Sequence, residues 1–228
     1  MSAANRQALG NPHLAFHGKG DAAIQGSEEQ ITLLLGEIAA GNETAKEELI
    51  RRVYHALRKK AGALMAGERI NHSLQPTALV HEAYFKLFVG KPLQAPNRAY
   101  FFGAAARAMR QILVDHARRF AARPEGGRVP VLDGILETVR STYQVDVLDL
   151  DCALAEFGRL HERQSEVVTL RFFGGLQWNE IGICLGVSTA TVEKDWQAAR
   201  AWLYARLKEN DNDIGTMGAN QRGVLRGS

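Results

Sequence analysis

Cysteine is scarce in this chain: its 228 residues hold two, Cys152 and Cys184. Both fall where periodicity marks an apolar helix face. That argues against a disulfide-stapled fold and for a reduced, cytoplasmic setting. Long apolar runs are lacking too. None approaches the ~18 residues of a membrane span, so no membrane association is expected. The N-terminus has no continuous apolar core behind its few charges, so no signal peptide is expected. Alternating segments of the kind that make strands are missing. So are a Gly-rich phosphate loop, a nucleophile–base constellation and internal repeats. His13 and His17 could share a helix face, but two histidines without further ligands do not make a metal site. His81-Glu82 opens like a zinc-protease helix, yet the second histidine would fall at position 85, which is Phe85. A helical metal-dependent hydrolase is therefore unsupported. No catalytic residue, metal or cofactor is expected, and the chain reads as a binding protein rather than an enzyme.

Acid is also lacking in one place. From Arg98 to Arg128 there are seven arginines (98, 107, 110, 118, 119, 123 and 128), no lysine, and only Asp115 and Glu125. Seven positive charges against two negative leave +5 in a chain whose net charge is +3. The rest of the molecule is net negative, so this segment holds the positive field. Arginine suits phosphate, because its planar fork grips two oxygens and its face stacks on bases. Tyr100, Phe101 and Phe102 stand beside it, available either as faces for unpaired bases or as core.

The periodicity predicts an all-α chain: two small helical domains joined by a flexible linker. Residues 1–26 read as a disordered tail. The first domain spans 27–123. Ser27 with Glu28 and Glu29 opens a helix whose apolar face is Ile31, Leu34, Leu35 and Ile38. Gly41-Asn42 ends it. A second helix, 43–66, carries Leu49, Ile50, Val53, Leu57, Ala61 and Leu64 at three- and four-residue spacing. Pro76 starts a third helix through Phe88, with Leu79, Val80, Ala83, Tyr84 and Leu87 in two adjacent apolar rows. The arginine-rich segment from Asn97 to Arg119 is the fourth. Pro, Gly and the Asp133-Gly134 turn signal then make 124–147 the linker. The second domain spans 148–208, with helices over 149–161 and 162–173 followed by a Gly174-Gly175 turn. Residues 209–228 are polar and rich in Gly and Asn, and read as a second disordered tail.

Gln177 to Leu207 has helix-turn-helix grammar. Ile181 and Leu185 lie one turn apart and face inward. Gly186 occupies the sharp turn, where positive φ costs glycine little. Val187 fills the angle between the helices. Ser188 is a good N-cap, which leaves Thr189, Ala190 and Thr191 in the first turn of the next helix. Such a second helix enters a major groove by its N-terminal end.

Three blocks, in this order, carry a resemblance to a known family: Leu74 to Leu87, Tyr100 to Arg119, and Glu166 to Leu207. Together they resemble a bacterial RNA polymerase sigma factor of the sigma-70 superfamily, of the extracytoplasmic-function type, over about Glu28 to Leu207. The first block resembles region 2.2. The resemblance implies that Leu79, Val80, His81, Glu82, Tyr84 and Phe85 dock on the β′ clamp helices of core polymerase. The second block resembles regions 2.3 and 2.4, which open and read the −10 element. That implies contacts from Arg98, Tyr100, Arg107, Arg110, Arg118 and Arg119 to the opened strand. The third resembles region 4, which reads the −35 element as duplex and meets the β flap. It implies contacts from Ser188, Thr189, Thr191, Lys194 and Gln197 to the duplex, with Arg200 better placed for a phosphate. The chain departs from many members at Ala78, His81 and Ala108, where those members carry Asp, Gln and Asn. The implied partners are core RNA polymerase and promoter DNA, with an anti-sigma factor as a third partner that some members have. The residues alone also admit a stand-alone helix-turn-helix regulator, which would dimerise and bind a palindrome.

Overall fold

The computed structural model describes residues 21–65, 74–89, 93–124, 127, 129–131 and 145–223. His13, His17, the expected tail before residue 21 and most of the expected linker lie outside them.

Four helices make the first half: α1 (Asp21–Ala39), α2 (Glu43–Leu64), α3 (Pro76–Phe88) and α4 (Arg98–Ala121). α1 begins at Asp21 rather than at Ser27. Alanine and glutamine in the added turn are good helix formers, and extending a nucleated helix costs little. Asn42 caps α2, its Oδ1 accepting the Thr44 N–H at 3.1 Å. Asn97 caps α4 in the same way, accepting the Tyr100 N–H at 3.2 Å. The stripes on α1 to α3 fall inside as their spacing requires. α4 differs, because it is buried on more than one side. Phe101, Phe102, Ala105, Met109, Ile112 and Leu113 are buried, and so are Ala106, Ala108 and Val114. A helix covered around most of its circumference has neighbours on both flanks.

Those neighbours come from both halves. α3 packs on one flank of α4. The other flank is covered by the second half, through α5 (Val147–Gly158), the π-helical turn Thr169–Phe173 that continues α6 (Glu162–Val168), and α7 (Trp178–Leu185); α8 (Thr189–Gly223) packs behind them on α5, α6 and α7. One hydrophobic core runs through both halves. Gly103 and Gly174 mark close approaches between them. A Cβ there would lie 3.3 Å from Leu170 Cδ2 and 3.4 Å from Cys184 Sγ. Farther along, a Cβ on Gly174 would sit 2.8 Å from the Ala106 Cβ.

The described ends of the linker close on each other. Two short antiparallel strands, β1 (Pro130–Val131) and β2 (Val145–Asp146), pair Pro130 with Asp146. Asp146 organises this junction. Its Oδ2 accepts the Val129 N–H at 2.8 Å, and its Oδ1 caps α5 by accepting the Leu148 N–H at 2.8 Å. This is why α5 starts at Val147, two residues ahead of the acidic run at Asp149. Cys152, expected on an apolar face, is exposed on α5. α8 runs on to Gly223, through the polar residues that composition marks as a tail. Among the described residues no helix is long and apolar enough to cross a membrane.

Candidate nucleic-acid interface

The helix-turn-helix is assembled by its glycines and caps. Glu180 caps α7, accepting the Gln177 N–H at 2.8 Å. Gly186 ends α7 at φ +66°, in the left-handed region that glycine enters at least cost. Gly182 is as necessary, and local pattern gave no sign of it. A Cβ there would come within 2.8 Å of the Val187 carbonyl, so the turn can fold down on α7 only if that position is bare. Ser188 caps α8, its Oγ accepting the Thr191 N–H at 3.2 Å and lying 2.9 Å from the Thr191 hydroxyl. Ser188 and Thr191 therefore spend polar atoms on each other and on the helix start.

Val192, Trp196, Ala199 and Leu203 face inward from α8. Trp196 packs on Trp178, with ring centroids 5.7 Å apart, and Trp202 stacks on Phe157 at 4.8 Å. The outward face then presents Thr189, Glu193, Lys194 and Gln197, all exposed. Arg200 is half-buried and engaged, farther along the helix. Glu193 was not singled out by the sequence; it shares the exposed face with Lys194. Asp195 is only 4% exposed and accepts a two-pronged contact from Arg163, at 2.6 and 3.2 Å. This contact raises the Arg163 pKa, chiefly through its hydrogen bonds and then through charge attraction. It ties α6 to α8 and fixes the angle at which α8 is presented.

The arginine-rich helix is placed differently from the sequence expectation. Phe101 and Phe102 are core, packed edge to face at 5.4 Å. Only Tyr100 of the three aromatics reaches the surface, at 36% exposure. Four of its arginines meet acids of the second half. Arg98 pairs with Glu180 and stacks over the Phe102 ring at 4.6 Å. Burial draws the Arg98 pKa down, and Glu28, 3.7 Å away, opposes that. Arg107 pairs with Glu166 at 2.6 Å. Arg110 reaches Asp151 at 2.8 and 3.1 Å and the Thr169 hydroxyl at 3.0 Å. Arg118 meets the other oxygen of Asp151 at 3.2 Å. Arg119 instead donates to the Asp115 carbonyl within its own helix.

On the far flank lies the expected docking helix. Leu79 and Val80 are 0% and 1% exposed, so they belong to the core between α2, α3 and α4 and reach no partner. Leu79 heads one of the two apolar rows and Val80 the other, and both rows turn inward at their first residue. His81 and Glu82 are exposed, and Tyr84 is half-buried against Phe88 at 4.9 Å. Phe85 and Val89 are 61% and 67% exposed. They border an open groove of about 400 Å³ shared with Glu82, Ile112 and Arg119.

Among the described residues no cluster of His, Cys, Asp and Glu could hold a metal ion. A family model described as ECF sigma factor matches residues 28–209. No curated protein matches the chain.

Proposed function

The chain belongs to the ECF sigma factor family, and on that premise we propose that it grips a promoter at two points and carries both to core RNA polymerase. The family acts in transcription initiation, with core polymerase and promoter DNA as its partners. The upstream point is the outward face of α8. Lys194 and Gln197 project from a rigid, capped helix start, the end that a helix-turn-helix inserts in a major groove. Glu193 beside them is an acceptor for a cytosine amine, whereas Lys194 donates to guanine. Arg200, farther along, holds a phosphate, which positions without specifying.

The downstream point is α4. Its arginines take phosphates of the opened −10 strand, and Tyr100 offers a ring for a flipped base. Melting a base-pair step costs on the order of 1 kcal/mol or more, so stacking and phosphate contacts must replace what is lost. The docking face for polymerase is the exposed side of α3: His81, Glu82, Tyr84 and Phe85, with Val89. The observation that carries this reading is α8, whose outward residues are polar and exposed while its buried stripe is complete.

Transcription with purified core polymerase tests it. The expected result is initiation from a promoter set that mapping of transcription starts after overexpression identifies, with shared −10 and −35 elements. A chain that neither binds core nor yields such transcripts, but dimerises on a palindromic duplex, would be a stand-alone regulator.

A further inference from the structure

Lys60 on α2 is a half-buried cation without an anion. The Gly174-Gly175 turn closes over its stem. Gly175 takes φ +69°, and a Cβ there would come within 3.4 Å of the Lys60 Cδ and 3.8 Å of its Nζ. The Nζ lies over the Phe172 ring, 5.8 Å from its centroid. Among the described residues no carboxylate pairs with it, and the charge that bears on it is Arg171, of its own sign. Closure of the turn leaves a cleft of about 280 Å³ beside α2, lined by Lys59, Lys60, Arg98 and Glu180 with the apolar Phe102 and Leu176. Glu180 is already spent: one oxygen pairs with Arg98 and the other accepts the Gln177 N–H at 2.8 Å. Glu28 of α1 also turns to Arg98, at 3.7 Å. Positive charge in the cleft therefore goes unanswered among the described residues.

Burial, and after it Arg171, lowers the Lys60 pKa from 10.5 to about 8. At about pH 7.5 roughly a quarter of the molecules carry this amine neutral, against about one in a thousand for an ordinary lysine. Desolvation beside another cation is what turns a lysine into a nucleophile. We propose that Lys60 is a carbon dioxide acceptor, whose carbamate supplies the anion that the cleft lacks. The nitrogen lone pair forms the N–C bond, one C=O pair moves onto oxygen, and a proton leaves nitrogen for solvent. Amine and carbon dioxide thus give carbamate and a proton, with no change of oxidation state. The product is a planar carboxylate among Lys59, Arg98 and Arg171, the shape and charge that a guanidinium holds best. An acyl donor would meet the same nucleophile but leave a neutral amide, which answers none of these charges. The site does not depend on how α4 and α8 meet DNA. The adduct forms on the folded amine and scarcely on the unfolded one, so dissolved carbon dioxide stabilises the chain by mass action.

Trapping tests the proposal. The full chain is equilibrated with 13C-bicarbonate at about pH 7.5, carbamates are alkylated with a trialkyloxonium salt, and the labelled peptides are mapped by mass spectrometry. An α-amine adds carbon dioxide too, so the site is read by peptide rather than by total label. The adduct at Lys60 should exceed that at any other lysine by about tenfold or more, and guanidinium chloride should abolish the preference. Bicarbonate at fixed pH and ionic strength should raise the thermal midpoint of wild type and leave that of Lys60→Met unchanged. Label at Lys60 no greater than at the exposed Lys194 and Lys208 would overturn the proposal. So would a bicarbonate-dependent rise that Lys60→Met retains, which would mean an anion held without a covalent bond. If circular dichroism shows Lys60→Met unfolded, the mapping of wild type decides alone.

Discussion

Replacing Lys60 by Met should make the protein more stable at neutral pH, although a charged group is lost. Burial, and after it the neighbouring Arg171, lowers the Lys60 pKa from 10.5 to about 8. The unfolded chain restores the ordinary value, so between pH 8 and 10.5 it binds more protons than the native state. Stability therefore rises with pH across that window, and the full penalty applies below pH 8. At about 1.4 kcal/mol per pKa unit the penalty is roughly 3 kcal/mol at pH 7. That figure is a ceiling, because part of the ammonium still meets solvent; about 1–2 kcal/mol is the expected gain. Methionine retains the unbranched stem that lies against Gly175 and Phe172 and removes only the cation. The assay is urea unfolding of wild type and Lys60→Met at pH 7 and at about pH 9.5. Taking the difference between the two proteins cancels the other lysines and the tyrosines. The gain should fall by about half at the higher pH. A variant equal to or weaker than wild type at pH 7, or a gain that does not change with pH, would refute the claim that closure buries this charge.

Three further outcomes are expected. Lys194→Ala should weaken binding to −35 duplex by about 1–3 kcal/mol and leave core binding intact, as read by anisotropy with each partner; equal loss of both would displace α8 from the groove. Phe85→Ser should weaken capture of core polymerase in pull-down while the circular dichroism spectrum stays helical, since its ring is mostly solvent-exposed; unchanged capture would move the docking face off α3. Gly182→Val should lower the thermal midpoint by several degrees, because the Val187 carbonyl 2.8 Å from the new Cβ must shift and carry α8 with it. An unchanged midpoint would mean that the turn has slack.

Much of the helical architecture was legible because each helix carries its own instructions. Gly41-Asn42 marks the break between the first two helices, each with a clear apolar period, and Pro76 starts a helix where its missing N–H costs nothing. Gly186 announces the turn of the helix-turn-helix by residue type alone. The limits were clearest where a residue's role depends on something distant. Glu166, Asp151 and Glu180 read as ordinary helix acids, yet they meet arginines 59, 41 and 82 positions away. Nothing in the local pattern marks Gly182, whose bareness is required by the Val187 carbonyl lying over it. Asp195 sits among exposed polar residues in sequence, but it turns inward to Arg163. The two adjacent apolar rows of α3 could not say how much of them a partner would meet. Packing against α2 and α4 takes Leu79 and Val80, one from each row, into the interior and leaves Phe85, which lies in neither, outside.

By itself, then, the amino-acid order determined the helices, the turn that makes a major-groove reader, the arginine-rich segment and membership of the family. These depend on spacing, capping and side-chain type, all of which act within a few residues. Tertiary structure alone decided what the arginines hold. A 3.6-residue period specifies that a face must be covered, not by what. On one side of α4 the cover is the domain's own α3. On the other it is a second half whose carboxylates match the arginines, so the helix that the sequence offers to DNA is, in the folded chain, already engaged.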